Sequence, residues 1–391
     1  MSLDLVTLGG QVREMARAVG TDARTLGARI GAARDLLLRE SADWEFWRDE
    51  VEAVQARHAW LVGKPLEPFA AAYDLPSCPA AYAIAAADGS HIDMDRHGIA
   101  DCWVINIGRV ALIYGPEAGY RADTRPTLGY REDDLVLRDV RTGQEKTVTG
   151  DVLAARRDLF EGLGLANIAL DLPPDLPRVA LMDGTLIRWT LEKFEPWLKN
   201  QFLQDQLSYL ETMRALPCPI ASYWSRPRAA EVAGLAQFLL VQGNLDKWKE
   251  LYPRHSDSPY RGVRDYLLFG DMLRDGQRSA RFQSMSRINV TSYPHPHTIQ
   301  FFYLKVAREI ARVEFPAWVA DESLDLLHAV VYDQCSRGMG YPVAVQRAHE
   351  QAVIHDGDRR QLESLIERLF ARADVPAMRS AKVISKLQPG L

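Results

Sequence analysis

The chain has 391 residues, 47% hydrophobic and 25% charged, which is enough for one large domain with elaborations or two modest ones. Its formal net charge of -5 excludes a freestanding basic nucleic-acid binder, whose affinity comes from displacing counterions over a broad positive surface, so any contact with DNA has to be local. No apolar run reaches the length of a membrane span, the first residues mix acidic and basic positions without an apolar signal region, and no two of the four cysteines form a CxxC pair. The expectation is a cytoplasmic protein with no membrane partner and with reduced, buried thiols at Cys78, Cys102, Cys218 and Cys335.

Residues 2 to about 66 have helical periodicity, with Leu26, Ile30, Ala33, Leu36 and Leu37 at three- and four-residue spacing and Trp44, Phe46 and Trp47 following on a helix face. Pro65, Pro68, Pro76 and Pro79 then punctuate the chain, which sets a boundary near Cys78 between a helical N-terminal region, 1–78, and the remainder, 79–391. Beyond it "AYAIAAADGS" predicts a buried strand ending in a turn, and "DCWVINIGRVALIYG" and "DDLVLRDV" supply two more strands of a meander. "DVLAARRDLFEGLGLANIAL" returns to helical spacing, and "RVALMDGTLI" is a short strand running into a turn. A helix over 195–216, the strand "IASYW" and the helix "AAEVAGLAQFLLVQ" follow, then an Arg-rich polar stretch from about 247 to 287, a strand "TIQFFYLKVA" and a helix-rich end from 323 to 369. Three strands, helix, strand, helix, strand, helix is the order of a ribonuclease H-like mixed α/β sheet with flanking helices, here with helical elaborations at both ends.

Two aspartates stand where apolar strands give way to polar residues. Asp88 follows Ala85, Ala86 and Ala87 and precedes Gly89 and Ser90; Asp183 follows Val179 to Met182 and precedes Gly184 and Thr185. An Asp-Gly after a strand is also what an ordinary turn needs. On adjacent strands, however, two such carboxylates supply the hard oxygen ligands that Mg²⁺ or Mn²⁺ prefers. Glu161, on the helix between those strands, offers a third carboxylate or an i,i+4 salt bridge to Arg157, and Asp158 competes with it from a nearby face. His349, on a helix beginning after Pro342, is either structural or a group that binds a second metal or protonates a leaving oxygen.

In "SYWSRPR", Arg226 and Arg228 suit phosphate contacts and Tyr223 or Trp224 suits stacking on a base, unless the segment is simply an Arg-Pro helix entry. His295 and His297 lie in a proline-bounded loop with no carboxylate attached, a poor metal motif. No GxxxxGK[ST] occurs, so ATP hydrolysis would belong to a partner.

The pieces "AAADGSHI", "ARRDLFE", "ALMDGTLIRW", "SYWSRPRAAEV", "MLRDGQRSARF", "FFYLKVAREIARVEFPAWVA" and "GYPVAVQRAHEQAVI", in that order over residues 81–354, together resemble the NurA nucleases. The resemblance implies a ribonuclease H-like core, a homodimer, and Mn²⁺- or Mg²⁺-dependent 5′-to-3′ exonuclease and single-strand endonuclease action on DNA in end processing and repair. It also implies work beside a HerA-type hexameric ATPase that translocates DNA. It matches Asp88 and Asp183 to the family's metal-binding aspartates, Glu161 to the intervening acidic residue and His349 to the C-terminal histidine, with Tyr223, Arg226 and Arg312 as substrate-contact or structural positions. Two other readings share these residues: a resolvase- or transposase-like enzyme of the same fold, and a non-catalytic dimeric clamp on a translocase.

Overall fold

The computed structural model describes residues 4–55, 60–93 and 100–374, so residues 1–3 and 375–391 of the two expected regions lie outside the described residues. The chain divides into two compact units. One comprises 1–75, 224–294 and 298–314, and the other 76–223, 295–297 and 315–391. Among the described residues, no helix is long and apolar enough to cross a membrane.

In the first unit, the 36-residue helix Leu5–Glu40 and the helix Trp44–Gln55 pack with later parts of the sequence. Ala33, Leu36 and Leu37 are buried in one apolar core with Trp47, Val232, Phe238, Phe282, Phe301 and Tyr303, and Leu26 and Ile30 pack against it. The strand Ile299–Val306 pairs antiparallel with Phe282–Ser284, which pairs in turn with Gly63–Pro65. The helix Glu231–Leu240 begins with three backbone N–H groups, at Glu231, Val232 and Ala233, donating to the fully buried Asp265 carboxylate. This is how a helix start inside a core satisfies donors that would otherwise be orphaned.

Among the described residues, the second unit contributes five strands of a mixed sheet, with helices. The strands Tyr82–Asp93, Trp103–Tyr114 and Gly119–Gly129 form an antiparallel meander, and Arg178–Asp183 and Ile220–Ser225 extend it on the other side as parallel neighbours. The meander's third strand is Gly119–Gly129, not "DDLVLRDV". It escaped sequence reading because it is an exposed edge strand containing Pro126, so it has no buried face to impose apolar alternation. The "DDLVLRDV" segment instead forms a short helix, Glu132–Leu135, and a strand, Val136–Arg138, in a separate two-stranded ribbon with Glu145–Thr147. Cys78 is exposed, against expectation, because it lies in the irregular segment before the first sheet strand; the other three cysteines are buried.

Two close approaches assemble this unit. The first twelve-residue strand runs straight through Asp88, Gly89 and Ser90 to Asp93, so Asp88-Gly89 is not a turn. Gly89 leaves room for the Glu161 side chain, from the helix Gly150–Ala169: a Cβ there would lie 2.8 Å from Glu161 Oε1 and would push that carboxylate aside. Gly108 on the next strand is needed because its Cβ would stand 2.3 Å from the Ala348 carbonyl oxygen, on the helix Val343–Ala352. That helix is tied at its start by Ala344 N–H donating to Gln334 Oε1 (3.1 Å). At its end, Ser90 Oγ and Asn106 Nδ2 (3.0 Å) both donate to the Ala352 carbonyl. Asp93 accepts from the Gly150 N–H at 2.7 Å and anchors the other helix.

Gly108→Val, which forces the His349 helix off the sheet, is expected to destabilise the protein by about 1–3 kcal/mol, the usual cost of overpacking. Gly357→Ala, in the helix Asp356–Arg372 with nothing near its would-be Cβ, is expected to be neutral or slightly stabilising. Chemical denaturation of both variants checks the pair; equal stabilities would refute the close-approach argument.

Candidate active site

The parallel ladder between Tyr82–Asp93 and Arg178–Asp183 has its last residue pair at Ala87 and Met182. Asp88 and Asp183 are therefore the next residues on two adjacent parallel strands, and both carboxylates stand at the carboxyl end of the parallel ladder, the end at which open α/β sheets bind their ligands. Gly184 has φ +82°, so the Asp183-Gly184 pair, unlike Asp88-Gly89, is a true strand-end turn. The two aspartates line one cleft of about 380 Å³ together with Gly89, Ser90, Arg157, Asp158, Glu161, Thr185, Arg188 and His349.

Asp88 Oδ2 lies 2.6 Å from His349 Nδ1, its Oδ1 accepts from the Gly89 N–H at 2.8 Å, and its side chain is 16% exposed against 67% for the histidine. Asp183 Oδ1 accepts a hydrogen bond from Tyr341 Oη at 2.8 Å. Burial raises the Asp183 pKa; the Tyr341 hydrogen bond opposes this, and the charge of Asp88 adds to it.

Glu161 is buried, with Arg157 Nε 3.0 Å from its Oε1, and Arg157 Nη2 donates to Asp158 Oδ1 at 2.6 Å. Burial first, and then the charge of Asp158, push the Glu161 carboxyl up to about 8, while Arg157 and Arg188 pull it down. Asp158 is the more exposed of the two acids and is flanked by both arginines, with Arg188 Nη1 3.7 Å from its Oδ2. Arg188 is itself held by Gln206 Oε1 (3.0 Å) and the Asp158 carbonyl (3.2 Å). Both acids reach the cleft, and Glu161 is the one pressed against Gly89 beside Asp88.

The structure thus brings Asp88, Glu161, Asp183 and His349 to one place. It does not bring Tyr223 into contact with solvent: that ring is fully buried, packs edge-on against Tyr341 at 5.5 Å and donates to the Gly340 carbonyl, so it has no face for a base. Its role is to hold the loop that leads into the His349 helix. Arg226 is exposed at φ +44°, in the other unit. Arg312 is buried in that same unit, bonded to Glu314 (2.8 Å), paired with Glu231 (2.8 Å) and stacked 3.5 Å over Phe301, which makes it a structural cation. His297 Nε2 lies 2.8 Å from Glu211 on the helix Pro196–Ala215, a carboxylate partner remote in sequence.

Tyr341 and Arg188 were not singled out from the sequence. Each carries a faint local signal: Tyr341 precedes the proline that starts the His349 helix, and Arg188 follows Asp183 by one short turn. Nothing in the pattern says that either reaches a carboxylate.

Because folding raises the Glu161 pKa, its protonated form is the one the fold favours. In EDTA its contribution to stability is fully present below about pH 4.5, declines as pH rises, and is lost above about 8. Glu161→Gln keeps the neutral shape, so its Tm relative to the parent should climb between pH 5 and pH 9; a pH-independent difference would contradict the assignment. Tyr341→Phe removes the donor to Asp183 and should lower any activity that uses this carboxylate by about 10- to 100-fold with little change in Tm.

The family model for the NurA domain matches residues 82–354, a span holding Asp88, Glu161, Asp183, Tyr341 and His349. No curated protein sequence matches the chain. Among solved structures it is similar to the NurA nuclease from Sulfolobus solfataricus, at 12% identity over 95% of this chain and 98% of that one, with a TM-score of 0.48. Since the NurA model covers most of its length, the chain belongs to the NurA family.

Proposed function

We propose that this chain is a metal-dependent deoxyribonuclease that hydrolyses phosphodiester bonds with Asp88, Glu161, Asp183 and His349. The observation that carries this reading is the convergence of three carboxylates and an imidazole on one cleft where the parallel pairing of two strands ends. Membership of the NurA family supports a nuclease role. The strand order, an antiparallel meander extended by two parallel strands, supports a ribonuclease H-like core.

The donor set suits a hard divalent ion such as Mn²⁺ or Mg²⁺, with carboxylate oxygens and one imidazole. Burial and neighbouring carboxylates both raise the pKa values of Asp183 and Glu161, a repulsion that a bound cation would relieve. Among the described residues no three His, Cys, Asp or Glu side chains already form a cage for a metal ion. Asp88, Glu161, Asp183 and His349, which line the same cleft, would be the residues to hold the ion. When bound, a divalent ion supplies Lewis acidity that stabilises charge on the phosphoryl group.

The remaining work falls to the chain itself. Asp88 orients His349 through Nδ1, which leaves Nε2 to pass a proton to a departing oxygen. Tyr341 fixes Asp183, and Arg188, pinned by Gln206, lends positive charge at the rim of the cleft. We further infer a cytoplasmic homodimer that acts 5′-to-3′ on DNA ends and on single strands during repair. A HerA-type ATPase would deliver the DNA, which suits a protein with a net charge of -5.

End-labelled linear DNA incubated with purified protein in Mn²⁺, Mg²⁺ or EDTA tests the reading. Cleavage should require metal and should fall on the order of 1,000-fold in Asp88→Ala and Asp183→Ala, as when a transition-state contact is removed. Absence of cleavage in every metal, even with the translocase added, would leave the non-catalytic clamp.

A further inference from the structure

Arg157 stands on the carboxylates that the proposed cation needs. Its Nε is 3.0 Å from Glu161 Oε1 and its Nη2 donates to Asp158 Oδ1 at 2.6 Å, in the same cleft as Asp88 and Asp183. The two contacts are unequal. The Asp158 bond is short and aligned, whereas Nε is buried without an aligned hydrogen bond, so the Glu161 contact is electrostatic only. Arg188 differs, with Nε and Nη2 bonded to a side-chain and a backbone oxygen. Asp158 is also the residue next to Arg157 on the helix Gly150–Ala169, so it travels with the arginine, while Glu161 is one turn away and faces Gly89.

We propose that Arg157 is a built-in counter-ion that occupies Glu161 in the metal-free protein and gives it up when a divalent cation binds. The inference rests on the metal-dependent reading above. A buried carboxylate left without any cation would be costly, and the guanidinium 3.0 Å away supplies one. The same attraction opposes an incoming ion, which has to displace the guanidinium before Glu161 can serve as a ligand. The released guanidinium stays tethered to Asp158, inside the cleft, where a planar fork of donors suits a phosphate. Arg157 is thus a positioning residue that lowers intrinsic metal affinity and, once displaced, faces substrate.

Mn²⁺ titration calorimetry without DNA, on the full chain, tests this with Arg157→Ala, Arg157→Gln, Asp88→Ala and Glu161→Gln beside the parent. Both Arg157 variants should bind Mn²⁺ about tenfold more tightly, the size of effect expected when a partly buried ion pair no longer competes. They should also have a lower Tm in EDTA and a larger Tm gain on adding Mn²⁺. A merely structural salt bridge would lower Tm in both conditions and leave affinity unchanged or weaker. Arg157→Gln retains a donor for Asp158, so it reports on charge even if Arg157→Ala folds poorly. If Asp88→Ala and Glu161→Gln lose Mn²⁺ while both Arg157 variants bind as the parent does, the counter-ion role is overturned and the metal site stands. If the parent binds no Mn²⁺, both fall together.

Discussion

At Gly89 and Gly108 a Cβ atom would collide with the two helices that carry Glu161 and His349. At Gly108 the missing side chain lets the backbone of the His349 helix rest directly on the strand, and at Gly89 it leaves room for the Glu161 side chain; the rest of the site depends on that closeness. One helix brings a carboxylate to the Asp88 strand; the other brings an imidazole within 2.6 Å of Asp88 itself. Polar ties then fix each helix along its axis. Asp93 receives the Gly150 N–H at one end of the Glu161 helix, and Ser90, Asn106 and Gln334 satisfy the terminal backbone groups of the His349 helix. Such interlocking of a close-packed contact with end caps sets side-chain positions more finely than packing alone.

The electrostatics of the cleft follow from crowding acids into a partly dry space. Glu161 and Asp183 are pushed toward their neutral forms, while Arg157 and Arg188 supply the compensation that burial denies. In the proposed metal-dependent reading, this balance would favour a cation without requiring a basic surface. It also reconciles a net charge of -5 with a phosphodiester substrate, because the attraction is concentrated at a few residues and not spread over the exterior.

The other unit solves a different problem. Asp265 accepts three backbone N–H groups and the Tyr303 hydroxyl, and Arg312 lies between Glu231 and Glu314 over the Phe301 ring. Buried charges of this kind are tolerated because each has a hydrogen-bond or ion-pair partner, and removing Arg312 would leave Glu231 and Glu314 facing each other without a cation between them. This explains why Arg312, which in sequence resembles a substrate contact, is committed to structure.

The sequence by itself determined the mixed α/β character, most of the strands and helices around the site, and the residues with the chemistry to serve it. Apolar runs such as Ala83–Ala87 and Val179–Met182, bounded by turn-forming residues, read as buried strands, and an acid directly after each marks where burial gives way. It also held the NurA pattern over residues 82–354. Only the tertiary structure decided that Asp88-Gly89 lies within a strand and not in a turn, because the reason for glycine there is a helix more than sixty residues later in the chain. It also decided that Tyr223 faces inward, that Tyr341 and Arg188 serve the carboxylates, and that the edge strand Gly119–Gly129 closes the meander. Local pattern records what each segment buries. Which segments meet is set by pairing and packing between residues far apart in sequence, and a functional site is made of those meetings.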